Sequence, residues 1–200
     1  MELTLKTQRL TLRPFAMDDI QSVTEITSRP NVSRYMTDMI YNTREKAEAW
    51  IHMLDRICNE NEPCVLLAIV PKDASKPIGY IGLHHKDTLD NEVEILYALT
   101  DEHQNKGYVT EAGKALAGWC FGNTSTPFIA AIVQHSNAAS SRVIEKLGFT
   151  YEGEKTLPHN GIETHFHYYR LYARYKESEE NICLLPSATT PEKSCIHRTI

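Results

Sequence analysis

The sequence predicts one α/β (α+β) domain, and three observations carry that reading. Two helical patterns come early, strand-like runs then follow one another from residue 64 to residue 99, and beyond that strands and helices alternate. No internal repeat or low-complexity tract interrupts residues 1–175. At 200 residues, one large domain fits better than two small ones.

Residues 8–14 (QRLTLRP) alternate, with Leu10 and Leu12 on one face, and read as a strand ended by Pro14. Asp18 and Asp19 offer a cap for a helix reaching about Ser28, before Pro30. Thr43 opens T-R-E-K, and Ala47, Trp50, Ile51 and Leu54 follow at helical spacing. Pro63 separates that helix from a buried strand, Cys64–Val70. Turns at 72–77 and 87–91 flank a strand at 78–84 and precede another at 92–99. A polar loop and Gly107 lead into a helix whose apolar face is Val109, Ala112, Ala115, Leu116, Trp119 and Cys120. Residues 128–133 read as a buried strand, and Asn137–Leu147 as a helix closed by Gly148. Strands at 149–155 and 164–175 are joined around Asn160-Gly161, a hairpin signal. Residues 176–200 carry two prolines and no sustained period, and read as a partly disordered tail on a domain spanning 1–175.

Composition removes several classes of function. Twenty-one Lys+Arg against 26 Asp+Glu give a net charge of −5, without the basic patches a nucleic-acid partner requires. The longest apolar run, Cys64–Val70, falls far short of the roughly 20 residues that span a bilayer. The N-terminus has no apolar core or cleavage site of a secretory signal. Five scattered cysteines without C-x-x-C point to free thiols in a reducing, cytoplasmic setting.

Chemistry concentrates in residues 92–122, where a strand delivers a polar loop, a glycine and the first turn of a helix. Backbone N–H groups at such a helix start, its partial positive charge, Lys106, and the close approach permitted by Gly107 suit a pyrophosphate. Neither G-x-G-x-x-G nor G-x-x-x-x-G-K-[ST] is present, so neither a dinucleotide fold nor a P-loop fits. Instead Gln104-x-x-Gly107-x-Val109, after E-x-x-Y-x-L, resembles the acyl-CoA loop of the GCN5-related N-acetyltransferases (GNAT), usually [RQ]-x-x-G-x-[GA]. Val109 departs from the family's Gly or Ala; crowding of the phosphates by its side chain would weaken binding. Asn137, Ser140, Glu145, Lys146, Gly148 and Phe149 match the family's N-x-x-S-x-x-x-x-E-K-x-G-F segment. T-Q-R-L-T-L-R-P at 7–14 looks like the opening strand of the RimJ/RimL-type branch, which acetylates ribosomal-protein N-termini. The three matches stand in order at family spacing and cover about residues 7–175.

The resemblance implies a mixed, twisted sheet of about seven strands flanked by about four helices, with acetyl-CoA as cosubstrate in a cleft where two strands splay. It implies cofactor contacts from Ala98, Leu99, Gln104, Asn105, Lys106, Gly107, Tyr108, Val109, Asn137 and Ser140. It also implies direct attack by a primary amine, from a peptide N-terminus or a small molecule such as a polyamine or antibiotic. Glu92 and Glu94, at i and i+2, share a strand face, where proximity and partial burial raise carboxyl pKa values toward those of a general base. Glu94 precedes Y-x-L and is the favoured base, with Glu92 second. Ser140, or after it Tyr108, protonates the leaving thiolate. Asn137 also stands where a helix N-cap belongs.

The histidines give no metal site by spacing. His84 and His85 point to opposite faces, and His165 and His167 have no further ligand type at suitable separation. Tyr97 reads as packing and Cys120 as core. The competing function is a non-catalytic acyl-CoA-binding sensor that uses the 176–200 tail for interaction. The acceptor-binding segments are 28–45 and 156–163, and a monomer or homodimer is expected.

Overall fold

The computed structural model describes residues 3–57 and 63–173. Eight strands form one sheet: β1 (Leu5–Lys6), β2 (Leu10–Arg13), β3 (Val65–Pro71), β4 (Gly79–Lys86), β5 (Glu92–Leu99), β6 (Phe128–Gln134), β7 (Thr150–His159) and β8 (Ile162–Tyr172). Their spatial order is β1-β2-β3-β4-β5-β6-β8-β7. Every neighbouring pair is antiparallel except β5–β6, so the sheet is mixed. The α-helices are α1 (Ile20–Ser28), α2 (Pro30–Ser33), α3 (Arg44–Ile57), α4 (Tyr108–Asn123) and α5 (Ala138–Leu147).

Two counts exceed the sequence expectation. The eighth strand is the two-residue β1, too short to leave an alternating pattern. The fifth helix is the single turn α2, which starts at the proline expected only to end α1: Pro30 has no N–H to donate, and a helix's first position needs none. Asp19 also departs from its expected role. It stands at the N-cap of α1 without capping it; its buried carboxylate instead grips Arg13 through both oxygens (2.6 and 2.9 Å). Other termini behave as read. Thr43 Oγ1 accepts the Lys46 N–H at 3.3 Å, and Gly148 closes α5 with φ 89°. Asn160 and Gly161 take φ 53° and 74° at the β7–β8 turn, a backbone that favours Asn-Gly.

The sheet is covered on both faces. Val109, Ala112, Leu116 and Cys120 of α4, with Ile144 and Leu147 of α5, pack on one face against β2–β6. Val23, Ile26, Ala47, Trp50 and Ile51 of α1 and α3 cover the other, over Ala68, Val70, Tyr80 and Ala98. Burying a side chain the size of Leu116 contributes about 2 kcal/mol, so the apolar stripe fixes α4's rotation and with it the direction in which its N-terminus opens. The tail read at 176–200 and the last two residues of the expected final strand lie outside the described residues.

Candidate active site

The parallel pair β5–β6 is where the sheet opens. Its register holds a single pair, Glu94↔Ala130, beyond which the strands diverge. Just past the end of β5, the Thr100 N–H donates to the O of Ile78, the residue before β4, at 3.0 Å, extending the β4–β5 ladder. Backbone groups along a strand alternate sides, so those of Tyr97 and Leu99 face the opening and those of Ala98 face β4. Leu99 O accepts from Asn31 Nδ2 at 3.0 Å, and Asn31 Oδ1 is buried without a hydrogen-bond partner among the described residues. A cavity of about 580 Å³ occupies the opening and reaches from the start of α4 to the start of α5.

At one end lies the start of α4. Asn105 (φ 59°) and Gly107 (φ 79°) both take left-handed backbone, and Gly107 is the N-cap residue with no side chain closing the helix. A Cβ at Gly107 would come no nearer than 3.5 Å to a neighbour, Arg9 Nη2, so the torsion rather than crowding within the chain requires glycine there. The first-turn N–H groups of α4 therefore point out of the helix uncapped, an arrangement that binds anions. Gln104, Asn105, Gly107, Tyr108 and Val109 line the cavity. The Val109 side chain packs into the core and is 8% exposed, which turns it away from the crowding its departure from the motif raised. Lys106 does not line the cavity; its carbonyl accepts from Arg9 Nη1 at 2.9 Å.

Across the opening, Asn137 Oδ1 caps α5 by accepting the Ser140 N–H at 3.1 Å. Ser140 Oγ lies 2.7 Å from the Tyr97 hydroxyl. Burial pushes the Tyr97 phenol up to about 12 although its hydrogen bond with Ser140 works the other way, so the phenol keeps its proton at neutral pH. Tyr97 thus does more than the packing its sequence context predicts, and its link to a residue 43 positions later leaves no local signal.

The two carboxylates separate. Glu94, 7% exposed, lines the cavity with His84 and Lys86, and its Oε2 is 2.9 Å from His84 Nε2 and 3.8 Å from Lys86 Nζ. Glu92 does not line the cavity: Arg170 and Tyr168 of β8 hold both its oxygens. Although they share a strand face, each meets different partners, Glu94 His84 and Lys86, and Glu92 Arg170. The segments expected to frame the acceptor meet over the cavity, where the Thr37 hydroxyl donates to Asn160 Oδ1 at 2.6 Å. Tyr35 OH likewise donates to Ser136 O at 3.3 Å. One expectation about the histidines is corrected. His165 and His167 do have company, since the β6–β8 pairing brings His135 beside them.

This fold is that of a known family. Residues 9–150 match the family model for the acetyltransferase (GNAT) domain, and the chain belongs to that family of N-acetyltransferases. It is 31% identical over 156 residues to the uncharacterized N-acetyltransferase YnaD of Bacillus subtilis, covering 77% of this chain and 88% of that one. It is 26% identical over 147 residues to the spermidine N(1)-acetyltransferase of Escherichia coli, 72% of this chain and 74% of the relative. Among solved structures, a GNAT-family acetyltransferase from Bacillus anthracis superimposes with a TM-score of 0.71 at 26% identity, over 86% of this chain and 99% of the other. Among the described residues, no helix is long and apolar enough to cross a membrane.

Proposed function

We propose that the chain moves an acetyl group from acetyl-CoA to a primary amine, a peptide N-terminus or a small-molecule amine, by direct attack in the β5–β6 opening. The observation that carries this reading is a single cavity that joins an uncapped helix N-terminus to a buried carboxylate. The N–H groups of Gly107, Tyr108 and Val109, with Gln104 and Asn105, hold the pyrophosphate, and Lys106, outside the cavity lining, adds only its longer-range positive charge. A pantetheine arm carries amide N–H groups, and the orphaned Asn31 Oδ1 is an acceptor placed for one of them. Asn137 borders the same passage.

Glu94, steadied by His84 and Lys86, takes the proton of the attacking amine as the N–C bond forms. The Leu99 N–H, next to Ala98, stabilises charge on the thioester oxygen. Ser140 gives its hydroxyl proton to the departing sulfur as the C–S bond breaks, with the protonated Tyr97 behind it; Tyr108 is the second candidate for that role. Positioning supplies much of the rate, because thioester and amine are already reactive partners. Glu92 serves the fold through Arg170 instead. The catalytic unit in this reading is residues 1–175.

The test is release of free thiol from acetyl-CoA over a panel of peptides, polyamines and aminoglycosides. Amine-dependent release is expected. Acetyl-CoA that binds but yields no thiol with any amine would mean that the chain is a sensor of acyl-CoA rather than a transferase.

A further inference from the structure

We propose that His135, Glu154 and His167 form a binding site for a divalent transition-metal ion, Zn²⁺ above all, separate from the cavity. None of the three lines that cavity. They come from three neighbouring strands: Glu154 and His167 are Cα partners in the β7–β8 ladder, His167 pairs with Val133 of β6, and His135 follows the end of β6. Alternation along each strand puts them on the sheet face that carries α4 and α5, where Val133 and Tyr169 also point.

Their ligand atoms all lie within 4.8 Å of one another, and His135 Nε2 is 3.4 Å from Glu154 Oε1. The His135 and His167 rings stack with centroids 4.2 Å apart. His167 is the fixed member, held between the edges of Tyr151 (5.8 Å, 86°) and Tyr169 (6.3 Å, 81°). Its Nδ1 is buried and has no hydrogen-bond partner among the described residues. An ordinary ion pair accounts for His135 and Glu154 alone. It leaves unexplained a second imidazole stacked on the first with an orphaned nitrogen, an arrangement that loses polar interactions unless something completes it. A cation shared by the three gives both imidazoles and the carboxylate one common partner.

Two imidazole nitrogens and one carboxylate oxygen make the donor set of a Zn²⁺ site with water in the remaining position; all-oxygen ions such as Mg²⁺ and Ca²⁺ do not select imidazole. Bonds of about 2.0–2.1 Å put tetrahedral ligands about 3.3 Å apart. Reaching that spacing requires the ligand atoms to close by up to about 1.5 Å. His135 and Glu154, whose side chains are 44% and 54% exposed, make the adjustment by rotating toward His167. The bound ion ties β6, β7 and β8 together and pins the turn two residues before Asn137, the cap of α5.

The experiment uses the full chain without a histidine tag, stripped by chelator and titrated with Zn²⁺ by calorimetry and with Co²⁺ by absorption spectroscopy. A zinc equivalent bound at micromolar or tighter affinity, a raised melting temperature and a cobalt spectrum free of thiolate charge transfer are expected. His135→Gln and Glu154→Gln, at exposed positions that do not threaten folding, should each weaken that equivalent tenfold or more. Unchanged zinc affinity in both variants overturns the site. So does a cobalt spectrum dominated by a thiolate band, which would place the metal on cysteines instead.

Discussion

Arg9 and Glu111 are 102 residues apart in sequence and 2.7 Å apart in space, Nε to Oε2. Glu111, in the first turn of α4, also accepts from the Thr7 hydroxyl (2.6 Å) and the Arg9 backbone N–H (2.8 Å). The same Arg9 guanidinium bonds the Lys106 carbonyl and lies over the Tyr108 ring at 4.7 Å. One arginine therefore fastens the turn at the start of α4 to the edge of the sheet. Its removal should loosen the turn without touching the chemistry. Arg9→Ala is expected to raise KM for acetyl-CoA about tenfold, the effect of roughly 1.4 kcal/mol of lost binding, with kcat within about twofold. A change confined to kcat would refute the clamp.

The same contacts set a pH dependence. Burial alone would raise the Glu111 carboxyl, but the hydrogen bonds from Thr7 and from Arg9 outweigh it and hold the group below the ordinary glutamate value. A carboxyl depressed in the folded state stabilises above its unfolded pKa, near 4.3, and loses that contribution as pH falls through the folded value. Wild-type protein should therefore lose melting temperature between about pH 5 and pH 3 more steeply than Glu111→Gln. Parallel acid profiles would show that Glu111 contributes nothing through its charge.

Gly107 tests whether the turn binds through its backbone. Alanine at φ 79° meets no close neighbour, but the left-handed torsion costs it about 1–2 kcal/mol. Gly107→Asn suits that torsion better and should recover part of the stability. Both side chains intrude where phosphate approaches the backbone, so both variants should bind acetyl-CoA at least tenfold more weakly by calorimetry. Wild-type affinity in the folded variants would mean that the glycine only turns the corner.

The Tyr97–Ser140 pair separates acid catalysis from packing. Tyr97→Phe keeps the ring and removes the hydroxyl 2.7 Å from Ser140 Oγ. Ser140→Ala is expected to lower kcat about 10²-fold and Tyr97→Phe less, about tenfold, with the double variant no worse than Ser140→Ala. Because burial holds the phenol near 12, no alkaline limb below about pH 10 should belong to Tyr97. Additive losses in the double variant would show that the two hydroxyls act independently.

What the sequence revealed and what it hid follow from the range of each interaction. Local signals were readable: the amphipathic stripe of α4, the Asn137 cap, Gly148 past α5 and the Asn160-Gly161 turn all depend on residues a few positions apart. So was the loop that turns into α4, whose left-handed Asn105 and Gly107 lie between Gln104 and Val109. Contacts made by the sheet order were not readable. The placement of β8 between β6 and β7 brings Arg170 to Glu92 and His135 to His167, and no spacing in the chain announces either. The i, i+2 rule correctly put Glu92 and Glu94 on one face but could not say that one meets an arginine and the other a cavity.

That division sets the last prediction, on the proton acceptor. Glu94→Gln keeps the side chain's shape and removes its basic site, and loss of a general base lowers rate by about 10²–10⁴. Acetyl-CoA affinity should hardly change, because the anion-binding turn begins several residues later. Glu92→Gln should do the reverse: with its ion pair to Arg170 weakened, it should melt at lower temperature and turn over at nearly the wild-type rate. The acidic limb of kcat/KM must be assigned with care, since deprotonation of the substrate amine acts at the same end of the scale. Two amines of different pKa distinguish the causes, because a limb that moves with the amine belongs to the substrate and a limb that stays belongs to the enzyme. The stationary limb should vanish in Glu94→Gln and persist in Glu92→Gln. Should Glu94→Gln keep the wild-type rate and the limb, the carboxylate mechanism fails and the amine must lose its proton to solvent.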